Sequence, residues 1–219
     1  MNALPIAFAG ETLTLLPSGA LLWANVDLLA VSDLHLGKSE RIARRSGSLL
    51  PPYEITETLT RLAKDIQHCK PRTILCLGDS FDDTHSATAL SDSHRDTLNI
   101  LQAGRNWLWV EGNHDPGPLD IGGTYLAEHK QGPLTFRHMA KTPSDHGEIS
   151  GHYHPKARVK GTSRPCFLVD QTRLMMPAYG CYTGGLNWTT PDLRQLFASK
   201  ATAYLTGRKV LPVPVPTAA

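Results

Sequence analysis

The chain has 219 residues, 41% apolar and 19% charged, with a formal net charge of +2. This is the composition of a soluble globular chain long enough to bury a core, and one domain over residues 1–219 is expected. The small net charge argues against steering of nucleic acid by the molecule as a whole, and no apolar run is long enough to span a bilayer.

The start, residues 1–10, is apolar and ends Ala7-Phe8-Ala9, but it lacks a basic segment and is too short for a secretory leader. Residues 11–16 and 20–25, around Pro17-Ser18-Gly19, predict a β-hairpin. Residues 26–32 predict a buried strand running into Asp33, followed by a loop with Lys38, Arg41, Arg44 and Arg45. Ile55, Leu59, Leu62, Ala63 and Ile66 have helical spacing within residues 54–69, and Pro71 closes that helix. Residues 73–77 predict a short strand ending at Gly78-Asp79. A helix over 91–102, stopped by Gly104, precedes a strand over 107–110 that ends at Gly112-Asn113. Short strands are expected at 134–138 and 148–150, a hairpin over 166–170 and 174–176, and a short helix at 191–199. The proline-rich tail, residues 210–219, is expected to be loosely ordered. Strands alternating with helices, with further strands at both ends, argue for α/β or mixed α+β layers.

Cys69, Cys76, Cys166 and Cys181 stand apart with no Cys-x-x-Cys, which speaks against a disulfide framework or a zinc ribbon. Cys76 lies in an apolar run and reads as core. A reducing, cytoplasmic compartment is the expectation.

Five short motifs carry the chemistry: Asp33-Leu34-His35, Gly78-Asp79, Gly112-Asn113-His114-Asp115, the lone His138, and Gly151-His152-Tyr153-His154. Mixed carboxylate and imidazole donors suit Mn, Fe, Zn or Co better than Ca. Asp33 and His35 are two apart, so on an extended strand end both reach one metal. Asp79 follows a glycine, which lets the backbone turn sharply, and a carboxylate there can bridge two ions. Asn113 adds an oxygen ligand without adding charge. His152 and His154 either point to different ions or converge on one. Taken singly, Asp33 reads as a helix cap, Asp79 and the segment 112–116 as turns, and His138 as an ordinary histidine. Five such motifs in order, each at a predicted strand end, favour the metal reading. His68, His85, His94, His129 and His146 lie in no motif and read as ordinary residues. Asp82 and Asp83 read as solvated or as orienting a histidine ligand.

These motifs together resemble the signature of the calcineurin-like metallophosphoesterase superfamily over residues 32–155. The resemblance implies an α/β fold, a four-layer α-β-β-α sandwich with the metals at one sheet edge. It implies one metal on Asp33, His35, Asp79 and His154, and another on Asp79, Asn113, His138 and His152, with Asp79 bridging. His114 would be the acid that is not a ligand, and Asp115 would orient it. The superfamily motif has glycine after the lone histidine, where this chain has Met139. Longer segments are similar to the bacterial ligase-associated DNA damage response endonuclease family: Ser48-Leu49-Leu50-Pro51-Pro52-Tyr53, Cys76-Leu77-Gly78-Asp79-Ser80-Phe81, Gly132-Pro133-Leu134-Thr135-Phe136-Arg137-His138 and Gly147-Glu148-Ile149-Ser150-Gly151-His152. That similarity implies a DNA endonuclease acting with a DNA ligase and a helicase in repair. The implied cofactors are two divalent ions, Mn(2+) first, with Zn, Fe or Mg as alternatives.

The expected reaction is in-line attack on phosphorus by a hydroxide generated between the ions. Two basic clusters flank the expected metal edge: Lys38, Arg41, Arg44 and Arg45, then Lys156, Arg158, Lys160 and Arg164. They are candidates for phosphate-backbone contacts, with ordinary solvated loops as the alternative. Trp107 and Trp109 read as core or sheet-face residues rather than base-stacking platforms. The rival functions are a phosphatase or phosphodiesterase for small nucleotides and a non-enzymatic scaffold, the latter disfavoured by the intact ligand set.

Overall fold

The computed structural model describes residues 2–159, 161–198 and 200–216. The apolar start forms β1 (Leu4–Phe8), antiparallel to β2 (Glu11–Leu15). The predicted hairpin then runs from β2 into β3 (Leu21–Trp23), and β4 (Leu28–Val31) follows with every residue buried. The stretch read as a basic loop is instead α1 (Lys38–Ser46). It was hidden because Ile42 is its one large apolar residue, so no apolar period shows. Its lysine, glutamate, arginines and alanine are good helix formers, and Gly37 and Gly47 bound it in left-handed conformation.

The helix α2 (Glu54–Cys69) has the predicted bounds and buries Ile55, Leu59, Leu62 and Ile66. It leads to β5 (Thr73–Leu77), then α3 (Thr84–Thr88), α4 (Asp92–Gln102), β6 (Asn106–Val110) and β7 (Thr124–Leu126). Strands β1 to β7 make one sheet in sequence order, with β4 to β7 parallel.

The second sheet takes β8 (His129–Gln131), β9 (Leu134–Arg137) and β10 (Glu148–Ser150), the last two parallel. The strand β11 (Lys156–Val159) pairs with β12 (Thr162–Val169), which turns into β13 (Arg173–Met175). After α5 (Pro191–Arg194), β14 (Thr202–Leu205) and β15 (Leu211–Pro214) complete it in the order β15-β14-β12-β13-β10-β9-β8. The segment expected to be a loose tail therefore contributes an edge strand over residues 211–214, paired residue by residue with β14, while its residues 217–219 lie outside the described ones. Pro212 and Pro214 sit on that edge, where a missing amide costs no ladder bond.

The two sheets close on Leu13, Trp23, Leu75, Leu77, Phe136, Phe167 and Leu174. On the outer face of the first sheet, Ile74, Cys76, Trp107 and Trp109 pack against Leu59, Leu62 and Leu98 from α2 and α4. On the outer face of the second, Leu168 and Met175 meet Trp188 and Leu193 around α5. Each fully buried leucine contributes about 1.5–3 kcal/mol of transfer free energy. The result is an α/β sandwich of four layers, whose last layer is thin because α5 is a single turn. The carboxyl ends of β4, β5 and β6 release Asp33, Asp79 and Asn113, and those of β9 and β10 release His138 and His152.

Candidate metal centre

The backbone at these strand ends turns sharply. Asp33, His35, Asp79, His152 and His154 all have left-handed backbone, with φ of 53°, 45°, 45°, 69° and 46°. Such conformations cost on the order of 1–3 kcal/mol each and persist only where the surroundings enforce them. Asp33 and His35 thus do not share the face of an extended strand, as their spacing suggested. Each turns back into the same space because its amide is held across the strand ends, Asp33 by the Gly78 carbonyl and His35 by the Asp79 carbonyl. Gly151 makes room for this crossing. A Cβ there would collide with the Ser32 hydroxyl and the Asp33 carboxylate.

Two donor groups result. In the first, Asp33, His35 and His154 converge: His154 Nε2 lies 3.1 Å from Asp33 Oδ1 and 3.2 Å from His35 Nε2. In the second, Asp79, His138 and His152 converge, with Asn113 beside them. His138 Nε2 is 3.0 Å from Asn113 Oδ1, 3.2 Å from His152 Nδ1 and 3.3 Å from Asp79 Oδ2. That Asp79 oxygen is also 4.0 Å from His35 Nε2, so it stands between the groups. The other Asp79 oxygen accepts the His114 amide at 2.9 Å.

The histidine tautomers follow from the partners. His138 donates Nδ1–H to the Leu77 carbonyl, and His35 donates Nδ1–H to the Asp82 carboxylate at 2.8 Å. Both leave Nε2 facing the cluster. Nitrogen and oxygen lone pairs packed this closely repel unless a proton or a cation lies among them. The side chains therefore fit a pair of divalent cations, and their mixed oxygen and nitrogen donors suit transition metals.

Protonation points the same way. Burial opposes ionisation of Asp79, yet the hydrogen bond and charge of His138, together with the His114 amide, hold its carboxyl at about 2. Burial likewise opposes ionisation of Asp33, but His154, His138 and Ser32 hold its pKa below the ordinary value. Burial lowers the pKa of His35 and of His152, which keeps those rings neutral and able to bind metal. For His138 the burial penalty is outweighed by the Asp79 hydrogen bond and the charges of Asp33 and Asp79, and its pKa rises.

The structure redirects three expectations. Asp115 does not orient His114. Its carboxylate accepts the amides of Ser80, Phe81 and Gly112 and so pins the turn that carries Asp79. Burial, helped by the charge of Asp79, pushes its pKa up to about 6 against those amides. His114 is held instead by the Asp82 carbonyl, 2.9 Å from its Nδ1. Lys38, Arg41 and Arg44 are not free for phosphates either: the first two bind the Asp82 carboxylate and the third binds Asp83. Lys156 donates to the Thr183 carbonyl. Arg45 and Arg158 are exposed and unpaired among the described residues, while Lys160 lies outside them.

Sequence reasoning missed the support from residues 179–180. The amides of Tyr179 and Gly180 bind the carbonyls of Ser32 and Asp33, and the Tyr179 hydroxyl donates to buried Asp65. No local signal marks contacts between residues 147 apart in the chain, whereas Asp82, three residues after Asp79, was within reach.

The model of the calcineurin-like phosphoesterases matches residues 26–202, most of the chain. The chain belongs to the calcineurin-like phosphoesterase family. It is thus a metal-dependent phosphoesterase, and the sandwich described above is the fold of that family. No curated protein matches this phosphoesterase significantly by sequence. Among solved structures, the nuclease MPE of Pseudomonas putida superposes with a TM-score of 0.77 at 27% identity, over 97% of this chain and 100% of that one. YfcE, a phosphoesterase from E. coli, aligns at 12% identity with a TM-score of 0.44, over 86% of this chain and 99% of the other. No helix among the described residues of this phosphoesterase is long and apolar enough to cross a membrane.

Proposed function

We propose that this chain is a binuclear phosphodiesterase that cuts DNA internally, as a ligase-associated repair endonuclease working with a DNA ligase and a helicase. The observation that carries the diester reading is the pair of donor groups with Asp79 between them, reached by two open clefts. One cleft, about 550 Å³, is lined by His152, Tyr153, His154, Gly185 and Leu186; the other, about 590 Å³, by Asn113, His138, Met139, Arg137 and Lys141. A diester has a substituent on each side of its phosphorus, and two clefts offer room for both. The likeness to the Pseudomonas putida nuclease supports a nucleic acid as that diester. Four free cysteines accord with a reducing cytoplasm.

Asp33, His35, Asp79 and His154 would hold one cation, and Asp79, Asn113, His138 and His152 the other, with Mn(2+) as the first choice and Zn, Fe or Mg as alternatives. A bound pair supplies the Lewis acidity that activates water and offsets phosphoryl charge. The protein's own groups do the rest. Asp79 fixes the spacing of the two halves. His114, with Nδ1 tied to the Asp82 carbonyl, presents Nε2 4.0 Å from Asp79 Oδ2, where the doubly protonated ring can give its Nε2 proton to the leaving oxygen. Exposed Arg45 and Arg158 are candidates for contacts to backbone phosphates.

The test is a metal screen with Mn, Mg, Zn and Fe on chelator-treated protein. Plasmid, single-stranded DNA, bis-p-nitrophenyl phosphate and cyclic nucleotides serve as substrates. Manganese-restored, salt-sensitive nicking of DNA is expected. Hydrolysis of cyclic nucleotides with no DNA cleavage under any metal would refute the nuclease reading.

A further inference from the structure

We propose that Asp82 is a positioning residue that holds the site histidines His35 and His114 in register, and that the basic helix α1 acts on the metal centre through Asp82 rather than by touching substrate phosphates. The inference rests on the metal-centre reading above but not on DNA being the substrate.

Asp82 is fully buried, yet it is neither the cap of α3 nor a core residue without partners. Asp83 provides that cap, accepting the Ser86 amide at 2.8 Å. Asp82 instead gathers donors from three directions. Its Oδ1 accepts His35 Nδ1–H at 2.8 Å and the Lys38 ammonium at 3.1 Å; its Oδ2 accepts the Arg41 guanidinium at 2.9 Å. Its backbone carbonyl accepts His114 Nδ1–H, and its amide donates to the Leu36 carbonyl. One residue thus contacts a candidate ligand through its side chain and the candidate acid through its main chain.

Three consequences follow. A carboxylate accepts and never donates, so His35 must carry its proton on Nδ1 and turn Nε2 to Asp33 and His154. A buried carboxylate needs compensating donors, and Lys38 and Arg41 supply them, which makes α1 the electrostatic counterpart of Asp82. His35, Asp82 and His114 also lie close enough together to look like a third cation site. With His35 Nδ1, Lys38 and Arg41 already on its carboxylate, Asp82 serves there as an orienting group. Partners of ligating histidines in this position typically change metal affinity by about 10–100-fold when removed.

The experiment compares wild type with Asp82→Ala, the near-isosteric Asp82→Asn, and the double variant Lys38→Met/Arg41→Met. Ring-nitrogen NMR of metal-free protein reads the histidine tautomers, and calorimetric titration with Mn(2+) reads affinity. Wild type should show His35 and His114 both protonated on Nδ1. Asp82→Ala should give His35 a mixed tautomer and weaken one Mn(2+) site about 10–100-fold, with the His138 ring unchanged. Asp82→Asn keeps an acceptor oxygen and the fold, and should lie between; it carries the test if the alanine variant does not fold. The double variant should weaken Mn(2+) binding and leave the salt dependence of DNA binding as in wild type. Unchanged tautomer and unchanged Mn(2+) affinity in folded Asp82→Asn and Asp82→Ala would overturn the positioning role. Wild-type Mn(2+) affinity with a shallower salt dependence in the double variant would overturn the role of α1. A wild-type protein that binds Mn(2+) but cleaves no DNA would sink the nuclease reading and leave this one standing.

Discussion

Asp79 Oδ2 lies 3.3 Å from His138 Nε2. The same oxygen stands 4.0 Å from His35 Nε2, so a single atom lies between two donor sets, each drawn from both sheets. Removing its charge should weaken both cations together. Asp79→Asn is expected to lower metal content and to cut phosphodiester hydrolysis at least ~100-fold. Elemental analysis beside a bis-p-nitrophenyl phosphate assay checks this; full turnover at saturating Mn(2+) would exclude a bridging role.

His114 touches the Asp79 carboxylate through its amide and the Asp82 carbonyl through Nδ1, but it joins neither donor group. His114→Ala should leave metal stoichiometry unchanged and slow turnover by ~10²–10⁴-fold, the range of a lost general acid. The loss should be smaller for substrates with good leaving groups. A fall in bound metal would instead make His114 a ligand.

The raised pKa of His138 gives pH dependence of opposite sign with and without metal. Without metal, the charged ring contributes stability that is fully present below the ordinary value of 6.5 and is lost as the pH rises through the higher folded value. Metal needs the neutral ring, so Mn(2+) affinity should fall as the pH drops through that same value, with proton release on binding. Calorimetry in two buffers of different ionisation enthalpy reads the proton count, and an affinity flat across that range would contradict the assignment.

Arg137 precedes His138 and is anchored by Glu148, 2.7 Å away; Glu148 Oε1 also forms an ion pair with Arg173, 3.0 Å from its Nε. All three side chains are buried. Glu148→Ala strands two guanidinium groups and should destabilise the fold by about 3–5 kcal/mol, measurable by denaturant unfolding. A loss under about 1 kcal/mol would mean that Asp145 and Glu128 are sufficient partners for Arg137.

Arg45 and Arg158 are basic candidates that are exposed and unpaired among the described residues. Replacing each by alanine should reduce the salt slope of DNA binding by about 1. Binding titrations at several ionic strengths decide it, and an unchanged slope in both variants would place the DNA path elsewhere.

The motifs were legible in the sequence because metal chemistry restricts residue type. Asp, Asn and His at strand ends, all but the lone His138 near a glycine or a second histidine, are rare enough together to name the reaction class. The helix α2 and strands β5, β6 and β10 were legible because apolar spacing or continuous burial marks them. Helix α1 was not, since its stability comes from charged helix formers and from ion pairs to Asp82 and Asp83, partners about 40 residues away. Nor was β15, whose prolines suggested disorder until β14 gave it an edge to lie on. Which lysines and arginines are free, which nitrogen of His35 faces the centre, and that Asp115 serves the Asp79 turn rather than His114 were decided by the tertiary structure. Those are questions of which donor meets which acceptor, and spacing along a chain carries no information about partners that folding brings together from different strand ends.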